Sequence, residues 1–156
     1  MELDVMKLTT FLVEAKQATY ANKDAPKASP LRPGSEDYHF KQGEWEYHDT
    51  YFGGRDFMGE EIVYQNGMRV WGMNYYGYLL TEEVSPKDAY AVLRPALMQL
   101  TGGGVLPVRG PKEYVEGNSK YLNTQTGQIE RFSGTEEITL NNEKVYQGWY
   151  HGGLIR

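Results

Sequence analysis

The sequence predicts an α+β fold made by internal duplication: a helix plus an antiparallel-strand unit, used twice, giving a mostly antiparallel sheet with two helices. Three observations lead there. Residues 57–80 and 132–155 align without a gap at a constant offset of 75, placing Phe57 on Phe132, Gly59 on Gly134, Glu61 on Glu136, Tyr75 on Tyr150 and Gly77 on Gly152. Asn66-Gly67 separates two strand-like runs, and that dipeptide suits a type I′ hairpin turn, which needs positive φ at both central residues. Two stretches have apolar residues stepping by three and four, one ahead of each set of strands. The 156 residues then form a single domain, 1–156, of two related halves, about 1–80 and 81–156.

The first helix is expected over 4–19, with Asp4 as N-cap. Val5, Leu8, Leu12 and Ala15 carry its apolar stripe, Phe11 and Ala18 widen it, and Glu14 and Lys16 are expected to face water. Residues 21–35 are rich in Asn, Lys, Pro, Ser and Gly and read as a connecting loop. Strands are expected at 37–41, 45–51, 60–64 and 68–76, with turns at Gln42-Gly43 and at 52–55. Within 45–51, Trp45, Tyr47, Asp49 and Tyr51 share one face. Ser85-Pro86 opens a second helix, with Tyr90, Leu93, Leu97 and Leu100 as its stripe. Pro95 should break or kink it near Arg94, and the glycines at 102–104 should end it. Strands follow at 113–115, 120–124 and 128–132, and then the second copy of the hairpin. With small gaps the repeat extends upstream, pairing Arg32-Pro33-Gly34 with Arg109-Gly110-Pro111, Tyr38 with Tyr114, Tyr47 with Tyr121 and Thr50 with Thr124.

Composition narrows the function classes. With no cysteine, disulfides, thiolate zinc sites and a thiol nucleophile are excluded. A net charge of −5 without a basic cluster argues against direct nucleic-acid binding. No apolar run approaches the ~20 residues of a membrane span, and the first ten residues lack the core of a signal peptide, so a cytoplasmic location is expected. His39, His48 and His151 show no HxH or HExxH spacing, and no metal or cofactor is expected. Nucleotide-phosphate and serine-nucleophile motifs are absent.

Two such units can pair about a pseudo-twofold axis, with their sheets edge to edge or face to face, leaving a cleft at the junction. Candidate ligand-binding residues are Glu61, Trp71, Asn74, Tyr75, Glu136, Tyr146, Tyr150 and His151. In each acidic pair, 60–61 and 136–137, neighbours point to opposite faces; the repeat favours Glu61 and Glu136 as inward. Inward acids would accept from a ligand or have a raised pKa; outward ones would be solvated or pair with Arg55 and Arg131. Trp71 and Tyr75 share one strand face and Asn74 the other, so they read equally as an aromatic wall or as cross-strand packing.

TYFGG at 50–54, GEEIV at 59–63, NGMRVWGMNYYG at 66–77, RGPKEY at 109–114 and KVYQGWYHGGLI at 144–155 resemble a family of functionally uncharacterised bacterial domains, the DUF5680-like domains. The resemblance covers most of the chain. Such domains are sometimes appended to helix-turn-helix regulators, which implies a sensor or effector-binding role with a regulator partner. The duplicated plan is also similar to gyrase-inhibitor-like effector-binding domains, which hold small organic molecules between two related halves, often with a glutamate inside. The expected function is therefore a small-molecule-binding module with an aromatic cleft between the halves, with a homodimer or a regulator as its possible protein partner. The alternatives are a cofactor-independent hydrolase or isomerase using a carboxylate and His151 as acid and base, and a protein-interaction module with exposed tyrosines.

Overall fold

The alternation of residues 45–51 becomes a ladder whose odd members face a layer of helices. The computed structural model describes residues 3–100 and 106–156. In chain order the elements are α1 (Val5–Ala18), β1 (Glu36–Gln42), β2 (Trp45–Gly53), β3 (Phe57–Gln65), β4 (Met68–Leu79), α2 (Pro86–Ala89), α3 (Leu93–Met98), β5 (Glu113–Glu116), β6 (Ser119–Gln128), β7 (Arg131–Leu140) and β8 (Glu143–Leu154). The eight described strands form one antiparallel sheet in the order β1-β2-β3-β4-β8-β7-β6-β5. Two four-stranded meanders thus meet edge to edge along β4 and β8, with Tyr75 opposite Tyr150.

Local chemistry sets each turn. Asn66 and Gly67 have φ of 51° and 76°, and Asn141 and Asn142 have 53° and 65°, the left-handed pair that a two-residue hairpin needs. The ladder shifts register between Val63 and Tyr64 in one hairpin and between Ile138 and Thr139 in the other. The strand expected at 128–132 does not form. Gln128 pairs with Arg131, so residues 129–130 are the turn between β6 and β7. The turn expected at Gln42-Gly43 lies one residue later, because Gln42 pairs with Trp45.

Helix α1 is capped by the Asp4 carboxylate, which accepts from the Lys7 amide at 3.1 Å. Its stripe, Leu8, Phe11, Leu12 and Ala15, packs on Trp45, Tyr47, Val63 and Trp71. Burying leucines such as Leu8 and Leu12 contributes about 1.5–3 kcal/mol each before entropy is counted. Lys16 does not face water; it is buried, because it lies four residues after Leu12 on the core-facing stripe. The second helical segment is split into α2 and α3 by residues 90–92, one turn before the break expected at Arg94. Pro95 then falls in the first turn of α3, where its missing N–H leaves no bond unmade. The glycines 102–104 lie outside the described residues. Leu93, Ala96 and Leu97 of α3 pack on Tyr121, Ile138, Val145 and Tyr146. Aromatic stacks tie the meanders together: Phe57 on Tyr146 at 5.9 Å, Phe132 on Trp71 at 5.7 Å and Tyr78 on Trp149 at 5.8 Å.

The other sheet face has Met58, Tyr76 and Trp149 well exposed. Among the described residues no helix is long and apolar enough to cross a membrane.

Candidate functional site

Strand alternation decides which acids turn inward. Glu61 and Glu136 are buried beneath the helices, while Glu60 and Glu137 reach the surface to meet Arg32 and Lys144. A buried carboxylate needs a partner. Lys16 of α1 supplies one to Glu61. Arg109, from the loop before β5, supplies the other through Nε to Glu136 Oε1 at 2.8 Å, and the Tyr121 hydroxyl donates to the second oxygen. Arg55 is no partner of the inner acids; it reaches the Thr81 carbonyl and Glu82. Burial pulls the Lys16 ammonium below its usual value, and Glu61 offsets only part of that. Burial also acts to lower Arg109, but Glu136 and the surrounding phenols hold it well above its usual value.

Each meander carries the same arrangement beside its acid. Tyr75 donates to Asp49 Oδ1 at 2.7 Å, and Tyr150 donates to Asn123 Oδ1 at 2.6 Å. Asp49 lies directly across the ladder from Glu61, as Asn123 does from Glu136. The difference is chemical. Asn123 is a neutral amide, and its Nδ2 donates to the Gly110 carbonyl at 2.8 Å. Asp49 is a third carboxyl on a buried face that holds two cations. Burial first, and then the neighbouring Glu61 charge, push Asp49 up to about 7.

Asp49 opens onto a cavity of about 300 Å³ between the inner face of β2–β4 and the α2–α3 segment. Tyr51, Phe57 and Tyr75 form its sheet wall; Tyr20 and Tyr90 close the helix side, and Arg94 and Arg109 reach its lining. Arg94 stacks on the Tyr20 ring at 4.6 Å and Arg109 on Tyr75 at 5.1 Å. A smaller void of about 20 Å³, lined by Lys16, Tyr47 and Glu61, also touches Tyr20 and Arg109. A wider groove of about 660 Å³ runs over the open sheet face past Asn74, Tyr76, Trp149 and His151. Its lining has no Asp, Glu, Lys or Arg, so the smaller and less open cavity is the better candidate site.

Of the eight residues singled out by sequence, Asn74, Tyr75, Tyr150 and His151 line the open groove along the β4–β8 junction, and the other four do not join them there. Tyr75 lines the cavity, and Glu61 lines the small void beside it. Trp71 is fully enclosed, with its Nε1 donating to the Ile129 carbonyl at 3.1 Å. Tyr146 is core, packed between Phe57 and Tyr90. Glu136 and Tyr150 are buried in the second meander with internal partners. Asn74 and His151 pair across β4 and β8 on the open face. His151 therefore cannot act as acid or base with Glu61 or Glu136, which lie on the other side of the sheet. Asp49, Arg94, Arg109, Tyr20 and Tyr90 were not singled out. Asp49 left a signal, an acid in a face otherwise made of Trp45, Tyr47 and Tyr51.

One glycine is held by close approach. A Cβ on Gly59 would overlap the Tyr75 hydroxyl and lie 2.7 Å from the Thr50 carbonyl oxygen. Gly59→Ala is expected to lower stability by about 1–3 kcal/mol through overpacking, read as a lower urea midpoint. An unchanged midpoint would mean that Tyr75 is not seated on this glycine.

No curated protein and no solved structure matches the chain. One family model does, that of a domain of unknown function, over residues 49–155. The match begins at Asp49, takes in the rest of β2 and every later strand, and covers more than two thirds of the sequence; the chain belongs to the DUF5680 family.

Proposed function

We propose that this chain is a small-molecule-binding module whose site is the aromatic cavity beneath α2 and α3. The observation that carries the reading is the third carboxyl: Asp49 lies at a cavity wall, on a face whose two buried cations, Lys16 and Arg109, each meet another acid. A ligand that donates a hydrogen bond there adds a partner to the one that Tyr75 already supplies. The tyrosine and phenylalanine walls favour a flat molecule, and Arg94 favours an acceptor or anionic group at its far edge. The volume, at the small end of the range for ligand sites, suits one fragment-sized molecule. Both halves contribute, with Asp49 and Tyr75 from the first and Tyr90, Arg94 and Arg109 from the second. The constant offset of 75, the matched tyrosine–amide or tyrosine–acid pairs and the exchanged aromatic stacks support a duplicated helix-plus-strands unit as the origin of the two halves. A sensor role with a regulator partner follows from this reading.

The test is a thermal-shift screen of a metabolite and fragment library on wild type and Asp49→Asn, with Asn74→Ala as the open-face control. A ligand at 100 times its Kd adds about 2.7 kcal/mol of stability. Hits on wild type that are kept by Asn74→Ala and lost by Asp49→Asn are expected. Hits lost in Asn74→Ala but kept in Asp49→Asn would move the site to the open face and overturn the assignment.

A further inference from the structure

We propose that His39, Glu46 and His48 form a binding site for a divalent transition-metal ion of the zinc type, on the open face of the sheet. The turn at residues 43–44 sets the geometry. It places Gln42 opposite Trp45, and that register brings His39 directly opposite His48. Glu46 precedes His48 by two residues on the same strand, so its side chain points to the same face. The three side chains converge. Nε2 of His39 and Nε2 of His48 each lie 2.9 Å from Glu46 Oε1, and the three ligand atoms all fall within 4.8 Å of one another. The imidazole rings are 4.4 Å apart, and the edge of Tyr64 against His48, at 5.7 Å and 75°, helps hold its ring.

Zinc bonds to imidazole nitrogen and carboxylate oxygen at roughly 2.0–2.2 Å, so ligand atoms around a tetrahedral ion sit roughly 3.3–3.5 Å apart. The nitrogen–oxygen separations here are a few tenths of an ångström shorter. Small side-chain rotations open them without moving the backbone. Two imidazoles and one carboxylate favour zinc, copper, nickel or cobalt over magnesium or calcium, which prefer all-oxygen shells. Three protein ligands leave a fourth position for water. Lys41 stands 3.7 Å from Glu46 Oε2, while Oε1 is the oxygen that meets both histidines and would turn to the ion. The ion would fasten β1, the edge strand, to β2. The site lies on the opposite face from the cavity and does not depend on the function proposed for it.

The experiment is a zinc titration of the full, untagged chain by calorimetry and by competition with a chromophoric chelator. One zinc ion per chain is expected. His39→Asn, His48→Asn and Glu46→Gln should each weaken it by at least ~10-fold, as loss of a direct ligand should exceed the 10–100-fold seen for lost supporting contacts at its lower end. His151→Asn should leave it unchanged, and magnesium should not compete. Melting curves in chelator should match wild type for all variants, since the three side chains lie at the surface. Zinc should raise the melting temperature of wild type and not that of the His39→Asn/His48→Asn double variant. Absence of saturable zinc binding by wild type would overturn the assignment, leaving Glu46 as a hydrogen-bond bridge between two histidines. Unchanged affinity in the double variant would overturn it too, by placing the ion elsewhere.

Discussion

Glu136→Gln should lower the unfolding free energy by about 3–5 kcal/mol, the range for removing one partner of a buried ion pair. Glutamine keeps the volume, so the loss is electrostatic. It leaves the Arg109 guanidinium enclosed without its counter-charge. Arginine cannot escape by losing its proton. The amide also fits the site poorly. Glu136 accepts from Arg109 at one oxygen and from Tyr121 at the other, whereas glutamine has one acceptor. The matched change Glu61→Gln should cost less. Its partner Lys16 is already pulled below its usual value by burial and can neutralise. Urea denaturation of the two variants measures this. The midpoint should fall further for Glu136→Gln than for Glu61→Gln, with the slope unchanged. Replacing both Arg109 and Glu136 by methionine should recover most of the loss, because burial of an apolar pair needs no counter-charge. A loss below about 1 kcal/mol for Glu136→Gln would mean that water reaches the pair, since ion pairs exposed to solvent contribute no more than that.

That this network exists was partly legible in the sequence. The repeat singled out Glu61 and Glu136 because they fall on each other at the offset of 75, whereas Glu60 falls on Thr135 and Ile62 on Glu137; alternation alone says only that one acid of each pair turns inward. What alternation cannot give is the partner. Lys16 comes from a helix whose seating on the sheet depends on packing, and Arg109 comes from a loop with no periodicity at all. Turn chemistry was legible where the dipeptide demands positive φ, as at Asn66-Gly67, and less so at Gly43, where the turn was placed one residue early. In an antiparallel hairpin, a turn displaced by one residue changes the register by two. With the turn at 42–43, His39 would face Glu46; with it at 43–44, His39 faces His48. The convergence of the three side chains was hidden by that one residue. The cavity was hidden for a different reason. Tyr75 was identified from the repeat, but the opposing wall of Tyr90 and Arg94 is set by where Pro95 breaks the second helix, and that break came a turn earlier than expected.

Asp49→Asn is expected to flatten the pH dependence of stability and to raise stability above neutrality. In the folded chain Asp49 titrates near 7, against an ordinary value of 3.8. Between those values the folded state holds a proton that the unfolded state has released. Stability therefore falls as pH rises through that window and is level above it. A displacement of about 3 units is worth roughly 4 kcal/mol at 1.36 kcal/mol per unit. Asparagine keeps the acceptor for Tyr75 and reproduces the arrangement already built around Asn123 and Tyr150. The variant should match wild type near pH 4.5 and exceed it by about 2–4 kcal/mol at pH 8, the difference growing as pH rises. Urea midpoints of both proteins from pH 4.5 to 8.5 read this directly, and taking the difference removes the titration of groups that do not interact with Asp49. Parallel curves would show that Asp49 is not held in its acid form. A growing difference, together with loss of the ligand hits in the same variant, would mean that the chain keeps at the cavity wall a charge its fold does not need. The second meander shows the alternative: there an amide closes the same position against Gly110. A residue that weakens the fold above neutrality, in the half of the sheet that opens onto a cavity, is what a binding site requires of a scaffold otherwise able to satisfy itself.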